Sequence, residues 1–341
     1  MKFDWNDISI VPETLSSISS RKEIDPTYVG KLPLFTAPMD KVIDETNVSQ
    51  FVNNNINICL PRNVKWKDIK IDGSDDFFYS YGLDEIIELL NNKSQLPKRV
   101  LIDVANGHMQ KLYDTSKRIK ETYGDKCELM IGNIANPDTY KKYCEIGVDY
   151  IRVGIGGGSA CTTSANVSIH YPMASLISEC AYFKAIYDKP TKIVADGGFR
   201  NFSDIIKALA LGADYVMLGG IFNKCLDSCG ETFMKDSQSQ YYQVDFKKAM
   251  NAFDAGVDIY KYYRGMSTKE VQKSWNRAEL KTGEGITKYN KVEYTLEGWC
   301  ENFTDYLKSA MSYCDSRNLK DFVGEVKYEI ISQNSFMRYN K

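Results

Sequence analysis

The sequence predicts an α/β protein built as a closed (β/α)8 barrel, a TIM barrel. Eight short apolar, β-rich runs recur along the chain, and helix-like segments lie between them. Most of these runs are nearly continuous in hydrophobicity, which is typical of parallel strands buried on both faces. Several runs end in small or functional residues, and in a barrel such ends meet at one face, where the chemistry takes place. An open doubly wound sheet remains the alternative, because strand count alone does not exclude it.

Each predicted strand is taken from one apolar run. The runs are LPLFTAPM (32–39), INICLP (56–61), DFFYSYG (76–82), VLIDVAN (100–106), ELMIGNI (128–134), YIRVGIG (150–156), KIVADGG (192–198) and DYVMLGG (214–220). The segments between them, such as 138–148 and 203–213, have helical spacing of their apolar residues. This alternation predicts a single barrel domain over residues 1–341.

The last third of the chain has a different character. From about residue 240 it is rich in aromatic, charged and Asn residues, and strand and helix signals are weak. We therefore expect a flap and insertion after the last strand, at approximately 223–300, and a C-terminal cap over the barrel mouth.

Composition narrows the class of protein. The 341 residues are 43% hydrophobic, which suits one large barrel or two medium domains. A net charge of −2 gives no indication of nucleic-acid binding, and no apolar run approaches the length of a membrane span. The nine cysteines, an odd number, are typical of reduced thiols and predict a cytoplasmic protein. The two histidines argue against a histidine-centred metal site or triad.

The segment VGIGGGSACTTS, residues 153–164, carries the strongest indication of chemistry. It places Cys161 behind a glycine-rich turn, where backbone amides can approach an anion and a thiol can ionise and attack. A lone cysteine is more often a small buried hydrophobe. Because this one lies in a glycine-rich loop and not in an apolar run, a nucleophile is favoured over a structural thiol. The acidic residue that a dinucleotide fingerprint requires is missing.

Two glycine pairs end consecutive late strands, in ADGGFRN (195–201) and MLGGIFN (217–223). Barrels often hold phosphate after strands seven and eight, on backbone amides that carry no Cβ. Each pair alone is more typical of a tight strand-to-helix turn, but the two together favour phosphate binding. Asp196, at the strand tip, either accepts hydrogen bonds from ribose hydroxyls or caps the following turn.

An ordered series of motifs gives a resemblance to a known family. They are DWNDISIVP, SSRKEID, TAPMD (36–40), LIDVANGH (101–108), IGN (131–133), the Cys161 loop, ADGGFRN, GADYVMLGG, YRGMS (263–267) and GEG (283–285). Through them the chain resembles the IMP dehydrogenase/GMP reductase family over almost its whole length, with a looser match at 297–311. The resemblance implies a barrel, usually tetrameric, that acts on a purine 5′-monophosphate.

The resemblance also implies a mechanism with two branches. The loop cysteine attacks C2 of the purine, a covalent thioimidate forms, and hydride passes between C2 and a nicotinamide. The dehydrogenase branch hydrolyses this intermediate with an Arg-Tyr pair on a long flap, whereas here the segment from Met266 to Glu284 is short and Arg277 precedes Ala278. IDVANG also favours the reductase, and residues 62–100 leave no room for tandem CBS regulatory domains. TAPMD, ADGGFR and the Arg of YRGMS are closer to the dehydrogenase, but the flap bears on the chemical step, and we favour GMP reductase.

In this interpretation Cys161 attacks C2 of GMP or dGMP, Thr163 and Glu284 assist proton transfer as ammonia leaves, and NADPH delivers hydride. The implied substrate-binding residues are Ser159, Asp196, Gly197, Gly198, Gly219, Gly220, Gly265, Met266, Ser267 and Gly285. The implied cofactor-binding residues are Asp103, Val104, Ala105, Ile155 and Gly156, with Ser20 and Arg21 reaching a neighbouring subunit's cofactor. Without the resemblance, Thr163 would be a helix cap and Glu284 and Arg21 surface charges.

Two positions depart from the reductase pattern. Ser164 stands where a basic residue commonly follows the CTT triplet, a position that takes part in monovalent-cation binding. The loop carbonyls can still supply ligands, and the resemblance implies a K⁺ site at Gly156, Gly158 and Cys161. Lys281 stands where an arginine would touch substrate or cofactor.

Three other functions remain open. A shortened IMP dehydrogenase would oxidise IMP to XMP with NAD. A non-catalytic regulator would bind purine nucleotides, although the set of Cys161, Thr163 and Glu284 argues against it. A flavin-binding barrel would use the paired glycine turns without needing Cys161. The favoured prediction is a cytoplasmic homotetramer with a purine nucleotide as partner, and with neither nucleic acid nor membrane.

Overall fold

The computed structural model describes residues 2–187, 190–274 and 282–339. The strands in this part of the chain are β1 (Ile8–Ile10), β2 (Leu34–Thr36), β3 (Cys59–Leu60), β4 (Phe78–Tyr81), β5 (Arg99–Asp103), β6 (Glu128–Ile134), β7 (Tyr150–Val153), β8 (Lys192–Asp196), β9 (Tyr215–Leu218), β10 (Thr232–Lys235), β11 (Tyr241–Val244), β12 (Tyr260–Arg264), β13 (Thr287–Lys291) and β14 (Tyr328–Ile330). The helices are α1 (Val48–Asn53), α2 (Leu83–Asn91), α3 (Gln110–Tyr123), α4 (Pro137–Glu145), α5 (Thr163–Val167), α6 (Met173–Ile186), α7 (Phe202–Ala210), α8 (Gly220–Asn223), α9 (Phe246–Asp254), α10 (Lys269–Ser274), α11 (Leu296–Tyr313), α12 (Leu319–Phe322) and α13 (Gln333–Tyr339).

The strands β2 to β9 form one parallel sheet that closes on itself. Its order is β2-β9-β8-β7-β6-β5-β4-β3. The two ends meet beside β3, where Thr36 N donates to Asn57 O at 3.1 Å and Asn57 N donates to Leu34 O at 3.0 Å. Seven of the eight strands lie within the predicted runs, and β5 begins one residue before its run, at Arg99. The (β/α)8 barrel is confirmed, and the open sheet is excluded by the closure.

The barrel interior is filled with side chains from alternate positions of its strands. Aromatic rings dominate this layer, with Phe35 against Phe78 at 5.7 Å and Phe78 against Tyr150 at 5.0 Å between ring centroids. Both phenylalanines are almost fully buried. A packed interior leaves the rims for binding, and the site is built from the loops at the carboxyl ends of the strands.

A second sheet is inserted between α8 and α11. Its four antiparallel strands have the order β11-β10-β12-β13. The sequence signals here are weak because the strands are rich in Tyr and Lys: β12 reads YKYYR, and Lys261, not an apolar residue, lies on its buried face. Strand periodicity is therefore masked by the chemistry of the side chains.

The helix α11 completes the outer ring of the barrel. Trp299 stacks on Phe303 with centroids 5.5 Å apart, and its ring lies 5.2 Å from that of Phe202 on α7. This helix covers the segment that follows the family pattern only loosely, and it is 18 residues long. The weak helix signal thus concealed the last barrel helix.

Three further observations bear on the expectations about thiols, membrane spans and inserted regulatory domains. All nine cysteines are free thiols. Within the described residues, no helix is both long and apolar enough to cross a membrane. The chain between β3 and β5 forms two 3-10 turns, β4 and α2, which are parts of the barrel.

Candidate active site

The loop from β7 to α5 carries Cys161 at the carboxyl end of the barrel. Gly154 and Gly156 have φ of +129° and +82°, which glycine adopts at low cost. A Cβ on Gly154 would lie 2.2 Å from Asp196 O, so a larger residue cannot be placed there. Cys161 N donates to Gly158 O at 2.9 Å, and this turn leaves the thiol partly exposed.

The segment that leads into β13 of the inserted sheet pairs with this loop. Thr162 N donates to Glu284 O at 2.9 Å, and Ile286 N donates to Ala160 O at 3.0 Å. These bonds place Gly285 directly opposite Cys161 in an antiparallel bridge. Backbone hydrogen bonds therefore hold residues 284–286 against the loop, and they place Glu284 close to the Cys161 thiol.

Three reactive side chains form a row. Cys161 Sγ lies 3.3 Å from Thr163 Oγ1, and Thr163 Oγ1 donates to Glu284 Oε2 at 2.5 Å. The row joins a thiol to a carboxylate through one hydroxyl, which is a path for a proton. The structure thus brings together the three residues that the sequence names as catalytic, although Glu284 is 121 residues from Thr163.

The first glycine pair lies against the Cys161 loop. A Cβ on Gly197 would be 3.2 Å from Gly158 N, and one on Gly157 would be 3.2 Å from Gly198 N. Two backbones approach this closely only where neither carries a side chain. Gly197 and Gly198 therefore share one backbone-lined surface with the loop, as expected for an anion site.

The second glycine pair lies beside two hydroxyl groups. A Cβ on Gly220 would be 2.7 Å from Ser159 Oγ, and one on Gly219 would be 3.1 Å from the Tyr263 hydroxyl. Tyr263 is almost fully buried, and burial raises its pKa, so its hydroxyl remains a donor at neutral pH. Sequence reasoning missed Tyr263, although its place directly before Arg264 and Gly265 in YRGMS was the available signal.

Asp196 is held by a buried arginine. Asp196 Oδ2 accepts hydrogen bonds from Arg152 Nη2 at 2.7 Å and from Asn133 Nδ2 at 2.8 Å. Burial by itself would lower the pKa of Arg152, but Asp196 and Asp103 outweigh it and raise that pKa. Sequence reasoning missed Arg152 and Asn133; an arginine within a buried strand run was the signal, because it requires counter-ions.

The same arginine fixes the start of the predicted cofactor segment. Arg152 Nη1 donates to Asp103 Oδ1 at 2.7 Å, and Arg62 Nε lies 3.3 Å from Asp103 Oδ2. Val104 is buried and its carbonyl accepts from the backbone of β6, whereas Ala105 is exposed. The predicted cofactor segment therefore begins at a strand end held by two arginines and continues into the exposed Ala105.

The turn after β12 completes the rim. Thr268 N donates to Gly265 O at 3.2 Å, which places Met266 and Ser267 at the tip of the turn. A Cβ on Gly265 would lie 2.5 Å from Ala160 O. A Cβ on Gly285 would lie 3.0 Å from Thr268 N. The turn over residues 265–268 therefore lies against both Gly285 and the loop that carries Cys161. Arg277, Ala278 and Lys281 lie outside the described residues.

Two predicted cofactor residues lie elsewhere. Ser20 and the exposed Arg21 belong to a 3-10 turn that packs against α11. Ser16 Oγ donates to Ser312 O, at the C-terminal end of that helix. Barrel helices run away from the carboxyl face, and 18 residues span about 27 Å at 1.5 Å per residue. The structure does not bring Ser20 and Arg21 to Cys161 within one chain; Ile155 and Gly156, by contrast, lie in the loop itself.

The expected cation ligands are partly engaged. Gly156 O accepts from Ser164 Oγ at 3.0 Å, and Gly158 O accepts from Cys161 N at 2.9 Å. Two of the three predicted carbonyl ligands for K⁺ therefore already accept hydrogen bonds within the loop. Each of these two carbonyl oxygens has only one lone pair left for a cation, so the set offers K⁺ less than the resemblance implies.

The fold and this rim define a (β/α)8-barrel enzyme with a candidate thiol nucleophile. Residues 96–339 match the family model described as IMP dehydrogenase / GMP reductase domain. The chain belongs to this family, and it is an oxidoreductase.

Similar proteins from both branches are known. GMP reductase of Caenorhabditis elegans is 25% identical, over 98% of this chain and 93% of the relative. Human GMP reductase 1 is 27% identical, over 79% of this chain and 83% of the relative. Inosine-5′-monophosphate dehydrogenase of Chlorobaculum parvum is 32% identical, over 67% of this chain but 44% of the relative.

Proposed function

We propose that the protein is a GMP reductase that converts GMP to IMP and ammonia with NADPH. The observation that carries the proposal is the row of Cys161, Thr163 and Glu284, in which a thiol, a hydroxyl and a carboxylate lie within hydrogen-bonding reach. Its likeness over almost the whole chain to a protein named GMP reductase supports the same branch.

The nucleotide is held at three places on the rim. The phosphate lies between the glycine pairs, where Ser159 and Tyr263 supply hydroxyl donors and the backbone supplies amides. The ribose hydroxyls donate to Asp196, whose carboxylate is paired with Arg152 and oriented by it. The base lies along the backbone of Met266, Ser267 and Gly285, so that its C2 faces Cys161.

In the first half-reaction the Cys161 sulfur attacks C2 of GMP and a C–S bond forms. The thiol proton passes through Thr163 towards Glu284, and the same path returns a proton to the 2-amino group. The C2–N bond then breaks and ammonia leaves, which gives the thioimidate. The row thus serves first as base and then as acid.

In the second half-reaction a hydride forms the new C2–H bond and the C–S bond breaks. A bound nicotinamide cofactor supplies that hydride. Asp103, Val104 and Ala105, fixed by Arg152 and Arg62, would hold it beside the nucleotide. GMP, NADPH and two protons thereby give IMP, NADP⁺ and ammonium, and Cys161 returns as a thiol.

Parallel assays test the proposal. We expect GMP with NADPH to give loss of nicotinamide absorbance with one ammonium released per NADPH consumed, and NADH and dGMP are run beside them to define cofactor and sugar preference. Formation of NADH from IMP and NAD⁺ would instead establish a shortened dehydrogenase. If neither reaction occurs while GMP raises the melting temperature, the protein is a nucleotide-binding regulator.

We further propose a cytoplasmic homotetramer. The nine free thiols support a reducing compartment. The position of Arg21, one helix length from the face that carries Cys161, supports a role at a neighbouring subunit. Native mass spectrometry gives the subunit number directly.

A further inference from the structure

The side chain of Ser164 closes the loop that carries Cys161. Ser164 Oγ donates to Gly156 O at 3.0 Å. The two residues are also closely packed, since a Cβ on Gly156 would lie only 2.8 Å from Ser164 Cβ. Gly156 begins the run of three glycines and Ser164 is the second residue of α5, so one hydrogen bond joins the two ends of the segment that holds the thiol.

The remaining backbone of the loop is bonded in the same compact form. Gly158 O accepts from Cys161 N at 2.9 Å, and Thr162 O accepts from Asn166 N at 2.9 Å. A cation shared by the loop carbonyls would have to use the second lone pair of each carbonyl oxygen or compete with these donors. The Ser164 hydroxyl places the positive end of its O–H bond against Gly156 O, at the oxygen that a cation would otherwise coordinate.

We infer that Ser164 is a positioning residue that takes the place of a monovalent cation, so that the Cys161 loop keeps its form without K⁺. The inference rests on the proposed function for its kinetic test. It predicts that the reaction is independent of K⁺, unlike the expectation drawn from the family resemblance. In this proposal the Ser164 side chain, and not a bound cation, holds the loop in its form.

The test must distinguish the hydroxyl of Ser164 from the neighbouring hydroxyl of Thr162. Thr162 Oγ1 is buried, and no hydrogen-bond partner for it is found in the described parts of the chain. An oxygen of this kind would be available to a cation. Thr162→Val is therefore the matched control, since it removes a hydroxyl two positions from Ser164 and leaves the Gly156 contact intact.

The first test compares salts on the unaltered protein. Turnover of GMP with NADPH and the melting temperature are measured in KCl, NaCl and choline chloride at equal ionic strength. We expect kcat to agree within about twofold in the three salts and the melting temperature to be the same. Stimulation by KCl over choline of about tenfold or more, or a melting temperature raised by KCl, would overturn the inference.

The second test compares variants and does not need turnover. The rate at which iodoacetamide alkylates Cys161, read by peptide mass spectrometry, reports the form of the loop. Loss of one hydrogen bond in Ser164→Ala should change this rate, and lower kcat, by about five- to tenfold in every salt. Ser164→Thr, which keeps the hydroxyl, should restore both, and Thr162→Val should leave both unchanged.

The two failures are distinguishable. If no reductase activity is found, the proposed function fails, while the alkylation rates and melting temperatures still decide the role of Ser164. If Ser164→Ala matches the unaltered protein in both alkylation and melting, Ser164 does not position the loop. If Thr162→Val alone alters the response to KCl, a cation is bound and the inference is wrong.

Discussion

At the scale of single residues, the proposed proton path from thiol to carboxylate depends on one hydroxyl, that of Thr163. Thr163→Val keeps the shape of the side chain and removes the bridge between Cys161 and Glu284. We expect kcat to fall by about 100-fold, the size of a general acid–base contribution, with a small change in KM. Steady-state kinetics check this.

The control lies one residue away. Thr162→Val removes a buried hydroxyl that makes no hydrogen bond within the described residues, so activity should be retained. Equal activity of the two valine variants would mean that the row of three side chains does not carry the proton.

The placement of the candidate site residues was predictable from the sequence where a motif names them and not where it depends on pairing across strands. Cys161, Thr163 and Glu284 lie in recognisable segments, and the structure brings them together. The partners of Asp196 were not predictable, because Arg152 and Asn133 come from β7 and β6 and reach β8 only through the pairing of these three neighbouring strands. The potassium ligands remain a prediction, which the Ser164 experiments test.

At the scale of elements, the proposed function has the turn after β12 position the base through the close approach of its backbone to the Cys161 loop. Gly265→Ala would place a Cβ 2.5 Å from Ala160 O, in contact with backbone that cannot swing aside. We expect kcat/KM for GMP to fall by about 100-fold, because displacements near 1 Å at a reacting centre have that effect. Gly283→Ala is the control, since its Cβ would be no closer than 3.4 Å to Ser267 O; equal losses in both variants would contradict the account.

The inserted sheet contains a buried lysine whose contribution to the free energy of unfolding depends on pH. Burial lowers the pKa of Lys261 to about 8, and its ammonium donates to Ser228 O at 2.7 Å. Between that pKa and the ordinary value of 10.5 the unfolded chain binds a proton that the folded chain has released. The free energy of unfolding should therefore rise with pH across this window, by about 3 kcal/mol, and the gain should be lost as pH falls through 8.

Urea unfolding of the unaltered protein and of Lys261→Met, between pH 7.5 and 10, checks the sign. The rise should be smaller in the methionine variant, because other groups titrate equally in both. An identical pH slope in the two proteins would show that Lys261 does not titrate in this window.

Elements were predictable to the extent that hydrophobicity follows their geometry. The eight barrel strands are buried on both faces, so each is an apolar run. The strands β10 to β13 escaped prediction because Tyr and Lys occupy them, and α11 because its apolar residues are mixed with polar ones.

At the scale of the whole molecule, Arg21 lies far from the face that carries Cys161 of its own chain. If it serves a neighbouring subunit, then Arg21→Ala and Cys161→Ala subunits, both of low activity alone, should regain activity when mixed and reassembled. Complementation is measured as turnover after mixing, with separately assembled tetramers combined afterwards as the control. Absence of recovery, with mixed tetramers seen by native mass spectrometry, would show that Arg21 does not act across subunits.

The most direct test of covalent reduction at Cys161 is intact-protein mass spectrometry after GMP is added without NADPH. The account predicts an adduct with the mass of GMP less ammonia, located by peptide mapping on Cys161, lost when NADPH is added, and missing from Cys161→Ala. Steady turnover by Cys161→Ala, or turnover of the unaltered protein with the adduct on another residue, would contradict it.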